Sequence, residues 1–167
     1  MTFIICDFSE GIVKLMMNHE TEKNGMDILW EVNVKIVVID GQGGRLGQLV
    51  IEAILKESIP CDLYAIGTNS IATSAMLKGG ATYGATGENP VIVAARDADI
   101  IIGPIGIISA DSLLGEITPP MAVAIGQSKA MKLLLPVSRC NNQVMGVIPL
   151  TMNEMVKVTV ERLKELL

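Results

Sequence analysis

The sequence predicts an α/β fold, a three-layer, doubly wound arrangement around a mostly parallel sheet of five to six strands. Short runs of apolar, β-branched residues alternate with stretches in which apolar residues recur every three or four positions. The first pattern is typical of strands buried on both faces, and the second of helices that cover a sheet. Because the connections are short, right-handed crossovers should place helices on both faces of a parallel sheet.

The first half of this pattern predicts two strand–helix units. Residues 34–40 are a buried strand that ends in glycines, and residues 46–57 carry apolar side chains on one helical face. Residues 62–66 are the second strand and residues 70–78 the second helix. The glycine pair at 79–80 should end that helix, because glycine readily adopts the left-handed conformation that follows many helices.

Two N-cap signals predict the next helices. The pairs Asn89-Pro90 and Thr118-Pro119 each place a residue that caps helices well before a proline, which is favoured at the first helical position. They predict a short helix to about residue 97 and another through residue 127.

The remaining elements are read from apolar runs and one further cap. Residues 99–102 and 132–137 are predicted strands, and residues 144–148 a short strand at the sheet edge, which Pro149 can end. Residues 151–154 read Thr-Met-Asn-Glu, a capping box that opens a C-terminal amphipathic helix.

Residues 1–33 differ in composition from the rest of the chain. They contain both phenylalanines, the only tryptophan and the only histidine, and they are acidic. We expect a poorly ordered N-terminal extension, with residues 34–167 forming one domain; a second ligand-binding element is the alternative.

Composition argues against several kinds of partner. The predicted domain is nearly neutral and has only Tyr64 and Tyr83 as aromatic residues, so nucleic acid is not expected to bind. The apolar runs are too short to cross a bilayer, and the chain shows no export signal, so a cytoplasmic location is expected. Three cysteines without paired spacing predict reduced thiols and no metal site. A homo-oligomer, most simply a homodimer, is expected.

A glycine-rich loop between the first strand and the first helix is the strongest functional signal. Glycine in such a turn lets a phosphate approach the amide groups at a helix N-terminus, where the helix dipole favours an anion. A glycine turn needed only to connect strand and helix is the alternative. The predicted cofactor-binding residues of this loop are Gly41, Gln42, Gly43, Gly44, Arg45, Leu46 and Gly47.

The loop resembles the NAD(P)-binding loop of dihydrodipicolinate reductases, which implies that NADP or another nucleotide is the cofactor. That resemblance covers residues 34–57 and does not carry the reaction, because the domain has no histidine. Over nearly the whole domain the chain resembles a family of small, uncharacterised bacterial Rossmann-like proteins, which implies the fold but no activity. The segments that carry this second resemblance are residues 38–44, 67–69, 84–89, 103–106 and 114–119.

Other candidate site residues follow the predicted strands, whose carboxyl ends form the binding edge of such a sheet. In dinucleotide sites an acidic residue after the second strand usually bonds the adenine ribose, but here that place holds Thr68, Asn69 and Ser70. This departure weakens the case for NAD and leaves NADP, a mononucleotide or another phosphate ester open. Capping of the second helix is the alternative role of Asn69 or Ser70. The loop after the fourth strand should face the glycine loop. Its predicted ligand contacts are Gly103, Pro104, Ile105 and Gly106, and the predicted substrate contacts elsewhere are Thr86, Gly87, Glu88, Asn89 and Arg139.

Three hypotheses remain open from the sequence. The first is a small nucleotide-binding protein whose ligand bears a phosphate, with a regulatory role as one option. The second is an NADP-dependent reductase or an enzyme acting on a phosphorylated metabolite, with Asp111, Glu116 or Cys140 as acid, base or nucleophile. The third is a subunit that completes a site with a partner protein. For the two carboxylates and the thiol, solvated or capping acids and a plain buried cysteine are the alternatives.

Overall fold

The computed structural model describes residues 33–137 and 144–167. Within these residues five strands alternate with helices along the chain. The strands are β1 Val34–Asp40, β2 Cys61–Gly67, β3 Tyr83–Thr86, β4 Ile100–Pro104 and β5 Met131–Leu135. The helices are α1 Arg45–Lys56, α2 Ser70–Lys78, α3 Glu88–Asp97, a 3₁₀ turn Ile105–Ile108, the four-residue α4 Ser112–Gly115, α5 Pro119–Gln127 and α6 Met152–Leu166.

The sheet has the order β3-β2-β1-β4-β5, and every neighbouring pair is parallel. The chain therefore moves outward from β1 to β3, crosses back to β4 beside β1, and continues outward to β5. This confirms the doubly wound α/β prediction. The strand order reverses between β1 and β4, and the crevice at the carboxyl ends of such a strand pair is where ligands bind in this class of fold.

Two apolar layers, one on each face of the sheet, form the core. Alternate residues of β1 point to opposite faces: Ile36 and Val38 join the layer beneath α1, α2 and α6, while Val37 and Ile39 join the layer beneath α3 and α5. All four are fully buried. Because β1 is apolar on both faces, it occupies the centre of the sheet, and its carboxyl end lies in the middle of the edge formed by the carboxyl ends of the strands.

The capping signals give one confirmed prediction and one correction. Thr118 caps α5 by accepting a hydrogen bond from the amide of Met121, as predicted. Helix α3 instead begins at Glu88 with Gly87 as N-cap, so Asn89 and Pro90 lie inside its first turn. Proline is tolerated there because the first amides of a helix have no intrahelical acceptor.

The predicted edge strand at residues 144–148 is wrong. Residues 144–150 contain a turn and otherwise no regular secondary structure, and Gly146 has a φ of 81°. These residues are exposed, so their apolar pattern has no buried face to fix a strand register. In the described residues β5, with β3 at the opposite side, is an edge strand of the sheet, and it ends at Leu135, two residues earlier than predicted.

The capping box is confirmed. Thr151 and Glu154 exchange side-chain and backbone hydrogen bonds at the start of α6. Val156, Val160 and Leu163 form the buried face of the helix, as its amphipathic pattern predicts.

Candidate functional site

The loop between β1 and α1 is a tight turn that only particular residues can form. Gln42 and Gly44 have left-handed φ values of 50° and 66°, and the amide of Gly44 donates to the carbonyl of Gly41 at 2.9 Å. A Cβ at Gly44 would lie 2.6 Å from the backbone of Ala72, at the start of α2. Glycine is therefore required at position 44 for both its backbone conformation and its contact with α2.

Asp40, the last residue of β1, stabilises the turn. Its two carboxylate oxygens accept hydrogen bonds from the amides of Gly41 and Gly47, both at 2.8 Å. The side chain is buried, and burial is the main cause that raises the pKa of this carboxyl above its usual value, against the lowering effect of the two amides. Asp40 is absent from the residues predicted from the sequence, although an acidic residue ending an apolar strand directly before the glycines was a usable signal.

Glu116, in the chain segment between β4 and α5, contacts the same turn. Its Oε2 atom accepts hydrogen bonds from the amide of Gln42 at 2.8 Å, from Asn69 Nδ2 at 2.9 Å and from Thr68 Oγ1. Burial alone would raise the pKa of Glu116, but these three donors together lower it. One carboxylate oxygen thus joins the loops that follow β1 and β2. We call residues 41–47 together with Thr68, Asn69 and Glu116 the glycine corner.

Asn69 has a second role that was also considered from the sequence. Its Oδ1 caps α2 by accepting from the amide of Ala72 at 2.9 Å, while its Nδ2 also donates to the carbonyl of Gln42 at 3.0 Å. Capping and participation in the glycine corner therefore coexist in one side chain, because its oxygen and nitrogen face different partners.

A cavity of 160 Å³ opens beside the glycine corner at the crevice between β1 and β4. Pro104 and Gly106 face the glycine loop across it, as predicted, and Leu113, Val137 and Met152 complete its wall. Gly43 and Arg45 line this cavity, and their backbone amides have no hydrogen-bond partner among the described residues. These two groups can bind an acceptor that enters the cavity.

The other predicted site residues lie at varying distances from this cavity. Gly103 packs against the carbonyl of Ile39 behind the crevice, and Ile105 is half-buried in the 3₁₀ turn. Ser70 lines a separate groove of 360 Å³ between α1 and α2. Asp111 is exposed and its side chain makes no capping bond.

The predicted substrate loop after β3 is not part of the cavity wall. Thr86 bonds to Thr73 of α2 at 2.6 Å, and Glu88 accepts from Thr118 at the start of α5. Gly87 forms the N-cap of α3, and Asn89 is exposed in the first turn of that helix. Arg139 and Cys140 lie outside the described residues.

The described part of the chain contains neither a membrane-spanning helix nor a cluster of metal-ligating side chains. Within residues 33–137 and 144–167, no helix is long and apolar enough to cross a membrane. In the same residues, no three histidine, cysteine, aspartate or glutamate side chains converge as metal ligands would.

Comparison with known proteins gives a family but no activity. Residues 35–167 match a family model described as a domain of unknown function, DUF3842. This agrees with the resemblance of the whole domain to an uncharacterised family. Searches of curated proteins and of solved structures found no match. The resemblance of the loop to dihydrodipicolinate reductases receives no support from these comparisons.

Proposed function

We propose that this chain, which belongs to the DUF3842 family of unknown function, binds the phosphate of a nucleotide or a related phosphate ester at the glycine corner. The observation that carries the proposal is the position of Glu116. Three donors from the loops after β1 and β2 converge on one of its carboxylate oxygens. The glycine corner is therefore built to hold an anionic oxygen, which is the feature that a phosphate requires.

The amides beside Glu116 provide further capacity for an anion. Those of Gly43 and Arg45 have no partner among the described residues, and both residues line the cavity at the N-terminus of α1. The first turn of α1 contains no acidic residue that would neutralise the positive end of the helix dipole. A phosphate in the cavity would receive these two N–H groups and the favourable field of the helix.

The location within the fold agrees with the same ligand class. The cavity lies where the strand order reverses, between β1 and β4, and its opposite wall is apolar. A polar end for phosphate and an apolar wall suit an organic phosphate better than a free inorganic ion. NADP and mononucleotides are both members of this class. Catalysis on the bound ligand, and completion of the site by a partner protein, remain hypotheses about the consequence of binding.

The proposal is tested by thermal unfolding of the full chain with inorganic phosphate, AMP, ATP, NAD and NADP as separate probes. A ligand present at about 100 times its Kd adds about 2.7 kcal/mol to the free energy of unfolding. For a domain of this size that corresponds to an increase in the melting temperature of about 5–10 °C. We expect an increase of this kind with at least one organic phosphate.

A valine at Gly43 provides the matched variant. A Cβ at this position would meet no atom within 4 Å, so Gly43→Val should fold while its side chain obstructs the approach to the free amides. Gly126, in α5, has the same open surroundings away from the glycine corner, so Gly126→Val is the control. We expect the ligand response to disappear in the first variant and to persist in the second. The proposal is refuted if no probe raises the melting temperature of the wild-type chain or of Glu116→Gln, which removes the competing charge.

A further inference from the structure

We infer that residues 109–117 form a latch that keeps the glycine corner closed: Glu116 occupies the anion position, and a phosphate ligand must displace it to bind. This inference rests on the proposed function and adds its regulation. The latch joins the 3₁₀ turn after β4 to the start of α5, so it spans the crevice from the β4 side and reaches the loops after β1 and β2.

Glu116 and a phosphate ligand would compete for the same donors. Both bear negative charge, and both bind through oxygens that accept hydrogen bonds. While Glu116 Oε2 holds the amide of Gln42 and the side chains of Thr68 and Asn69, these donors are not available to a ligand. A phosphate beside the ionised carboxylate would also be repelled by it.

The cavity is small for an organic ligand while the latch is closed. Its 160 Å³ is about half of the roughly 300 Å³ at which small-molecule pockets begin. Leu113, in the latch, lines this cavity and is buried; its Cδ1 lies 3.0 Å from the position of a Cβ built on Gly41. Since Glu116 and Leu113 belong to one short segment, movement that withdraws the carboxylate also withdraws this cover.

The backbone of the latch is strained. Asp111, Leu113 and Leu114 all have left-handed φ values, of 61°, 54° and 62°. Such a conformation is unfavourable for residues with a Cβ and persists where surrounding contacts impose it. The closed form is supported by Asp111, whose amide donates to the carbonyl of Ile117 at 2.8 Å, and by the contact of Ser112 Oγ with the carbonyl of Gly106. This strain raises the free energy of the closed form and so favours its opening.

Two variants shift the latch in opposite directions. Glu116→Gln keeps the shape of the side chain and removes its charge, which weakens the closed form. Leu114→Gly replaces an exposed leucine, 95% accessible, by a residue that tolerates its left-handed conformation, which favours the closed form. Glu161→Gln, on the exposed surface of α6, makes the same charge change away from the latch and is the control.

The experiment is isothermal titration of each variant with ATP, NADP and inorganic phosphate, with circular dichroism to show that each is folded. We expect Glu116→Gln to bind an organic phosphate at least about tenfold more tightly than the wild type, because a larger fraction of the chain is open. We expect Leu114→Gly to bind about fivefold more weakly. Glu161→Gln should bind as the wild type does.

The outcomes separate the latch from the proposed function. If the wild type binds and Glu116→Gln binds equally or more weakly, the latch is overturned, and Glu116 is then a residue that helps to hold the ligand. If Leu114→Gly binds as tightly as the wild type, the strained turn does not control closure and the latch is likewise overturned. If neither the wild type nor Glu116→Gln binds any probe, the proposed function fails together with the latch.

Discussion

Gly44 is the position where one methyl group tests the geometry of the glycine corner most directly. Its φ is left-handed, and a Cβ there would lie 2.6 Å from both the Cα and the carbonyl oxygen of Ala72. At Gly43, one residue earlier, a Cβ would enter open space. Gly44→Ala and Gly43→Ala therefore make the same chemical change with different structural consequences.

The expected magnitudes follow from these contacts. A left-handed conformation costs an alanine about 1–2 kcal/mol, and forcing a methyl group against closely packed backbone costs about 1–3 kcal/mol. Gly44→Ala should lower the free energy of unfolding by about 2–5 kcal/mol, a large part of the roughly 5–15 kcal/mol that is typical of a folded domain. Gly43→Ala should change it by no more than about 1 kcal/mol in either direction.

Urea unfolding followed by far-ultraviolet circular dichroism measures both values, with linear extrapolation to water. The midpoint of Gly44→Ala should fall well below that of Gly43→Ala. If the two variants unfold at the same urea concentration, the loop does not approach α2 as described, and the geometry assigned to the glycine corner is wrong.

Two further predictions concern stability. Burial is the main cause that raises the pKa of Asp40 in the folded protein. Protonation of Asp40 therefore stabilises the fold fully at pH values below the pKa in the unfolded chain, near 3.8. This stabilisation is lost as the pH rises through the higher pKa of the folded state. The free energy of unfolding of the wild type should therefore fall relative to that of Asp40→Asn as the pH is raised from about 3.5. Urea unfolding of both proteins at each pH measures this difference. A difference that stays constant with pH would contradict the prediction. Thr151→Ala removes the side-chain half of the capping box and should cost about 1 kcal/mol in the same assay, whereas Thr151→Ser should retain most of it; equal losses in both variants would show that the cap contributes nothing.

Elements specified by nearby residues could be predicted from the sequence. The apolar run of β1, the cap at Thr118 and the capping box at Thr151 each act within a few residues, so their local pattern determines the outcome. The strand predicted at residues 144–148 failed because strand formation depends on a partner strand and a buried face, which a local apolar pattern does not supply. Helix α3 began earlier than predicted because proline fits anywhere in a first helical turn.

In the candidate site, too, features specified by nearby residues could be predicted and contacts between distant residues could not. A glycine loop between a strand and a helix locates the candidate site from local sequence alone, and the position of the crevice lined by Pro104 and Gly106 is determined by the strand order. The sequence predicted Glu116 as a candidate acid near the pocket, but not its contacts with the loops after β1 and β2. Its contact with Gln42 joins residues 74 positions apart in the chain, and only the packing of the segment after β4 brings them together.

The four glycines of the loop differ in whether the fold requires a glycine at that position. Side chains at Gly44 and Gly47 would collide with Ala72 and Met76, so packing accounts for both. At Gly41 a Cβ would lie 2.7 Å from Oε2 of Glu116, so that glycine admits the carboxylate. Gly43 has open surroundings and no left-handed φ, and neither packing nor conformation requires a glycine there. Packing against α2 and the contact with Glu116 thus account for three of the four glycines, whereas at Gly43 the proposed approach of a ligand to the amide gives a reason for a glycine.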